Sequence, residues 1–500
     1  MRKGTISTPK PAYDAVIIGS GAGGATLALQ LARSGLDVLV VERGTWLRAA
    51  EDPEEDYLYR RLAPDAPLEM VGGKTKYYGA ALYRYRESDF RETDHETGVS
   101  PAWPITYDDL APYYDEAERL YRVHGSAEGD PSEPPRDMPF PHPPLPHDPA
   151  VAKVAEKLQS KGVPTAAIPR GLDYGDGGAC TLCPGCDAHH CRLDAKMDAE
   201  TAALIPALQT GRVQLLLETD CLRVLTDPSG KKATGVELMR GGERLTVNAG
   251  TVAVCAGIPG TALILRRSRT DAHPEGLGNA TGQLGKRVGA HSTGTLFPMV
   301  SFGDLTGRHT KTFAINAWYD GAADWDYPVG VVQIAGQAPF WDMVDGVKRT
   351  LVREIAKHSL LCFHMTEALP DAGTGWVFDG DALGTYTPPR HQAGSYDKLR
   401  KLAVSAFHKA GYPVLQARRP MEFWHETGSA VMGSDPASSV VDPTGQVHGI
   451  QGLYVADASV PPTAAAVNTG LTIMALALRT GDSIAGRAYM KKRPSITVTA

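Results

Sequence analysis

Residues 15–42 read AVIIGSGAGGATLALQLARSGLDVLVVE, and this stretch decides the fold. Residues 15–18 form a short apolar run that suits a buried parallel strand. It leads into Gly19-Ser20-Gly21-Ala22-Gly23-Gly24. Gly19 permits a tight turn, Gly21 lets the backbone approach a pyrophosphate, and Gly24 lets the next helix lie close to the strand. Residues 25–34 carry a helical apolar pattern whose N-terminus would face phosphates, where the helix dipole favours negative charge. Residues 36–41 form a second buried strand, and Glu42 stands at its end, placed to accept hydrogen bonds from an adenosine ribose. The order strand, glycine turn, helix, strand, acid points to a bound dinucleotide. The acid also argues against a 2′-phosphate, and so against NADP.

At the other end of the chain, His425 and Asn468 flank a glycine-rich stretch that contains Asp457. Between these ends the composition sets bounds. The chain has 500 residues, enough for two or three domains with a sizeable core. Hydrophobic residues make up 42% and charged residues 22%, ordinary for a globular protein. A net charge of −6 gives no reason to expect nucleic-acid binding. No apolar run reaches transmembrane length, and residues 1–12 lack the core of a signal peptide. The expectation is a cytoplasmic protein without a membrane span, in which cysteines are mostly thiols or metal ligands.

Outward from the first unit, residues 71–81 (VGGKTKYYGAA) form a glycine-bracketed loop suited to passing beneath a flat ring system. Residues 108–123 and 151–161 have helical spacing, and the proline-rich stretch 131–149 reads as an extended connector. Residues 201–209 look helical. Residues 213–219, 222–227, 233–240, 243–247 and 252–255 read as strands, the last followed by Ala256-Gly257 and a helix. A strand ending in Ala-Gly before a helix is a second place where backbone meets a nucleotide. Residues 453–455 form a further strand before Asp457, and 471–484 a long apolar helix that returns to the first domain. These patterns predict a discontinuous first domain, residues 1–294 with a return at 421–500, and a substrate domain over 295–420 on a mixed sheet.

Cys180, Cys183, Cys186 and Cys191, spaced C-x2-C-x2-C-x4-C, are the most unusual local feature. Three readings stay open: an iron–sulfur cluster, a zinc site to which His189 or His190 contributes, and free thiols or a disulfide-tightened loop. Cys221, Cys255 and Cys362 read as small buried apolar residues.

Taken together, these motifs resemble the glucose–methanol–choline (GMC) family of flavin oxidoreductases over nearly the whole chain. The resemblance rests on the Gly19–Gly24 turn with Glu42, on Gly72-Gly73 with Tyr78-Gly79-Ala80, and on Ala256-Gly257. It continues in His425–Gly433, Gly452–Ser459 and Asn468–Thr472. The likeness is to the sugar-oxidising branch, pyranose and glycoside oxidases and bacterial sugar dehydrogenases. It implies an α/β fold with a Rossmann-like FAD-binding domain and a second α+β substrate domain.

The resemblance also implies FAD. Asp457 would bind the ribityl chain, the segment from Asn468 through Thr469 to Thr472 would approach the flavin pyrimidine, and Leu222 to Val224 would pass near the adenine. Some relatives attach the flavin through a histidine in the glycine loop. Here the loop offers Lys76, Tyr77 and Tyr78, so a non-covalent flavin is expected. The family's usual prolines after the histidine and the asparagine are Glu426 and Thr469 in this chain.

Alcohol oxidation at a flavin requires a base for the hydroxyl proton and a donor for the developing alkoxide. His425 is the expected base and Asn468 its hydrogen-bonding partner, while His291 and His364 read as structural. The expected substrate is a sugar or glycoside, with oxygen or a redox partner as electron acceptor. Two rivals remain: oxidation of another alcohol, choline-like or aromatic, and an electron carrier centred on the cysteines. Trp318, Tyr319, Trp325, Tyr327 and Trp341 could line a site for a sugar or a cation.

Overall fold

The computed structural model describes residues 4–47, 69–300, 303–336, 346–416 and 423–491. The strand Ala12–Ile18 buries its apolar half and pairs in parallel with Val38–Val41 on one side and Glu243–Val254 on the other. Val38–Val41 continues in parallel to Val213–Leu216, and that strand to Thr5–Ile6. Leu453–Val455 joins in parallel at the C-terminal part of Glu243–Val254. The N-terminal part of that long strand instead forms an antiparallel meander with Ala233–Arg240 and Thr219–Thr226. The strands predicted at 243–247 and 252–255 are therefore one strand of 12 residues. Its first part alternates and is half exposed, its last part is buried on both faces, and the change of pattern reads from sequence as a break.

Two helices cover this sheet and meet each other. Ala22–Arg33 follows the glycine turn and is buried along most of its length. Gly470–Ile484 packs against it where Gly481 admits the stem of Gln30, and Gln30 Nε2 donates to Asp482 Oδ1 at 2.6 Å. Tyr107–Leu120 closes the third side, with Tyr113 donating to the other oxygen of Asp482. The stretch 201–209 is helical as predicted, but it opens on a π turn, Glu200–Leu204, before Ile205–Gln209.

The second sheet runs in the order Val414–Gln416, Gly289–Pro298, Cys362–Ala368, Val331–Ile334, Phe313–Ile315 and Ala166–Ala167. Phe423–Thr427 pairs with Gly289–Pro298 as well. Its pairings are antiparallel, and the mixing of strand directions lies in the first sheet. Helix Ala393–Lys409 packs on this sheet around Leu399, Ala403 and Phe407, and Pro149–Ser160 adds Val151, Val154 and Leu158 to the same core. Sheet membership does not follow the expected chain divisions. Gly289–Pro298 spans position 294, while Ala166–Ala167 and Phe423–Thr427 come from segments assigned to the first domain. Among the described residues no helix is long and apolar enough to cross a membrane.

Candidate active site

The glycines of the first turn divide into two kinds. A Cβ at Gly19, Gly23 or Gly24 would overlap the carbonyls of Cys255, Ala456 and Gly19 respectively. At Gly21 and Gly257 a Cβ would meet nothing within 4 Å. The first set lets strand, turn and helix close on one another; the second opens onto a crevice. Helix Ala22–Arg33 has no side-chain cap and no acid in its first turn, so backbone N–H groups are left facing that opening.

Glu42 is buried at the end of its strand. Its Oε2 accepts from the Ser20 hydroxyl at 2.6 Å and the Ser20 amide at 3.1 Å, and its Oε1 accepts from the amide of Gly44. Burial foremost raises its pKa, against the opposing pull of these hydrogen bonds. Ser20 Oγ also accepts from the Gly72 amide at 3.1 Å and so joins the glycine loop to the first turn. The motif reading had given Ser20 no role. Leu222 and Val224 lie on Thr219–Thr226, which reaches the Glu42 end at its start, where the Thr219 amide bonds the Glu42 carbonyl. The amide of Val224, further along, is taken by Ser268 Oγ.

Asp457 closes the other wall. Its Oδ2 accepts from the Gly257 amide at 2.8 Å and the Thr261 hydroxyl at 2.6 Å, and its Oδ1 from the Ser459 amide. The carboxylate thus fixes the Ala256-Gly257 turn at the crevice. Gly428 and Ala430 donate to the carbonyls of Ala458 and Ser459, which ties the segment after His425 to the Asp457 loop.

The glycine loop sits on the cysteine-rich segment. The Ala188 amide bonds the Tyr77 carbonyl. Lys196 Nζ donates to the carbonyls of Tyr78, Cys186 and His189. Any side chain at Gly79 would collide with Asp187, which pairs with Lys311 at 2.9 Å and accepts from the Gly336 amide at 2.6 Å. Ala80 is fully buried with φ of 53°, and Tyr78 donates to the Met197 carbonyl. Cys186 is buried and Cys183 exposed, all four thiols are free, and among the described residues no group of three or more potential ligands is placed to hold a metal. The segment is held by its backbone carbonyls and by Asp187. Lys76 is buried between Asp198 and Glu200, at 2.9 and 3.0 Å.

His425 lies on Phe423–Thr427, where the register against Gly289–Pro298 slips by one residue. This bulge sets His425 at φ of 57°, a left-handed conformation uncommon outside glycine, and re-aims its ring. Asn468 Nδ2 lies 3.2 Å from His425 Nε2, and Asn468 Oδ1 accepts from Gln333 Nε2 at 2.9 Å. His425 Nδ1 is 3.1 Å from His291 Nδ1. The structure therefore brings the two expected residues together and adds Gln333, which has no reading from sequence, and His291, which reads from sequence as structural. Gln333 carries one signal, a lone amide inside the apolar strand Val331–Ile334.

The pair also stands beside the crevice. Gly73 lies against Gly21, and Lys74 of the same loop reaches Glu426, next to His425, at 3.8 Å. Thr469 stands at the N-terminal boundary of helix Gly470–Ile484 without a side-chain capping bond, and Thr472 in its first turn bonds the Tyr114 hydroxyl at 2.8 Å. Tyr319 braces the loop before Asn468, accepting from the Ala466 amide and donating to Asp89. Trp325 bonds Ser395, and Trp341 lies outside the described residues.

A crevice built on a strand–glycine turn–helix unit suits a dinucleotide, and the family of the chain makes it a flavin-dependent alcohol oxidoreductase. Family models described as GMC oxidoreductase match residues 13–293 and 391–477, and the chain belongs to that family. It is similar to 6'''-hydroxyparomomycin C oxidase of Streptomyces lividus, 31% identical over 95% of this chain and 91% of that protein. It is likewise similar to paromamine 6'-oxidase of Streptomyces fradiae, at 30% identity and the same coverage. Among solved structures, formate oxidase of Aspergillus oryzae shares the fold with a TM-score of 0.65 at 15% identity, covering 96% of this chain and 99% of that one. The family's cofactor is FAD. The open faces of Gly21 and Gly257, the uncapped helix and the buried Glu42 fit its diphosphate and ribose.

Proposed function

We propose that this enzyme oxidises a hydroxyl of an amino-substituted sugar or glycoside, with His425 as base and Asn468 as its partner. The observation that carries the reading is the chain of hydrogen bonds from Gln333 through Asn468 to His425 beside the crevice. A hydroxyl lying beside both side chains, within reach of each nitrogen, would give its proton to His425 Nε2 and accept from Asn468 Nδ2. Bound FAD supplies the hydride acceptor. Gln333 holds the Asn468 amide with its N–H₂ toward the reacting oxygen, and the bulge holds the histidine ring.

The substrate class is supported by the names of the two curated relatives and by Glu426. This carboxylate is next to the base, where the family's usual residue is proline, and its side chain is one-third exposed. An ammonium group on the substrate would meet it. We also propose that the flavin is held without a covalent bond. The loop beside the crevice has no histidine, and its Lys76 is locked in a buried ion pair. The cysteine segment enters this reading as the bracket of the glycine loop.

Anaerobic mixing with paromamine tests the proposal. The flavin absorbance should bleach with a saturable rate, and in His425→Ala the rate should fall by about 10²–10⁴-fold with FAD still bound. Bleaching at the normal rate in that variant removes His425 from the reaction.

A further inference from the structure

His291 sits at the end of the hydrogen-bonded series that begins at Gln333. It lies on Gly289–Pro298 opposite Trp424, directly across the bulge, and is fully buried. Its Nε2 is 3.0 Å from the carbonyl oxygen of Ala464, which also accepts from the Tyr85 hydroxyl at 2.8 Å. Its Nδ1 is 3.1 Å from Nδ1 of His425. The rings are steeply inclined, at 64°.

One placement of protons satisfies these contacts with both rings neutral. A carbonyl oxygen only accepts, so His291 Nε2 carries a hydrogen. A neutral imidazole has one such hydrogen, so His291 Nδ1 is bare and accepts. The nitrogen facing it, His425 Nδ1, must then carry the hydrogen, which leaves the lone pair of His425 on Nε2. Asn468 agrees from the other side: its oxygen is taken by Gln333, so its N–H₂ faces that lone pair. The series runs in one direction, Gln333 to Asn468 to His425 to His291 to Ala464.

We propose that His291 is a positioning residue that fixes the tautomer of His425, so that Nε2 is the nitrogen that takes the substrate proton. This rests on His425 being the base. Protonated His291 would donate from both nitrogens, turn His425 Nδ1 into the acceptor and put a hydrogen on Nε2, where no proton could then be received. Several charged or titratable groups face His291. Glu367 is its partner on Cys362–Ala368 and pairs with His95 at 3.3 Å, while Glu426 and His425 come from the bulged strand. Burial foremost lowers the His291 pKa, which favours the neutral ring; the Ala464 carbonyl and the two carboxylates act the other way without reversing it.

Two substitutions separate positioning from packing. His291→Phe keeps a ring but removes the acceptor. His291→Asn places an amide oxygen near the position of Nδ1. NMR of the FAD-loaded protein with nitrogen-labelled histidine, assigned by difference with His425→Ala, reads the tautomer directly. The expected wild-type signature is a hydrogen-bearing Nδ1 and a bare Nε2 on His425. His291→Phe should give a mixture of tautomers, slow anaerobic flavin reduction by paromamine about 10- to 100-fold, and shift the acid limb of its pH profile. His291→Asn should restore a single tautomer and most of the rate. A single unchanged tautomer in His291→Phe, or His291→Asn as impaired as His291→Phe, overturns the proposal. Normal reduction in His425→Ala would instead refute the base, so the two failures are distinguishable.

Discussion

At the scale of single residues, the chemistry depends on where hydrogens sit. The histidine–amide pair was legible because both residues occur in motifs whose order is specific. Their support was not, since Gln333 and His291 lie in strands with no motif and acquire meaning only when the strands pair. Gln333→Leu leaves Asn468 free to turn its amide, so flavin reduction should slow while FAD affinity holds; an unchanged rate would show that the amide needs no orienting. Glu426→Gln should raise KM for paromamine by about 3- to 10-fold and leave KM for a neutral sugar alike in both proteins, as expected of a partly exposed charge pair. Steady-state kinetics on both substrates checks this.

His364, which reads from sequence as structural, sits fully buried against the Tyr396 ring at 4.7 Å. Burial foremost lowers its pKa to about 3. In the unfolded chain a histidine titrates near about 6.5, so the unfolded state binds the extra proton first. The stability associated with the neutral ring is complete above about pH 6.5 and is lost as pH falls toward 3. Replacing it in His364→Leu should therefore narrow the stability gap between neutral and acid solution, by about 2 kcal/mol near pH 4.5. Urea midpoints of both proteins at the two pH values measure the gap.

At the scale of elements, the first strand–turn–helix unit was legible almost whole, because glycine placement and apolar runs act within a few residues of each other. The same reading divided Glu243–Val254 in two, since one strand borders water along its first part and is enclosed along its last. The glycine turn gives a graded prediction. Gly21→Ala meets open space at φ of −71°, so the protein should fold and bind FAD more weakly. Gly23→Ala drives a methyl into the Ala456 carbonyl and should destabilise the fold itself. Thermal melts of the two apoproteins should separate them; equal melting temperatures would mean the turn is looser than drawn.

At the scale of the whole molecule, one carboxylate joins three parts of the chain. Asp187, from the cysteine-rich segment, lies under Gly79 of the glycine loop and binds Lys311 and the Gly336 amide at the edge of the second sheet. Burial pushes its pKa up, but Lys311 and Arg170 together pull it below the ordinary carboxylate range. Sequence spacing directed attention to the four cysteines and away from this neighbour, because a buried ion pair between distant segments leaves no local pattern. Asp187→Ala strands the Lys311 charge, so stability should fall by about 3–5 kcal/mol and FAD should bind more weakly with it.

In the proposed reaction a histidine with its lone pair on Nε2 takes a proton from a sugar hydroxyl beside bound flavin. Rapid anaerobic mixing of the holoenzyme and its His425→Ala variant with paromamine tests it most directly. Saturable bleaching of the flavin is expected in the first and a loss of about 10²–10⁴-fold in the second, with the flavin retained in both. Equal rates in the two proteins would contradict it.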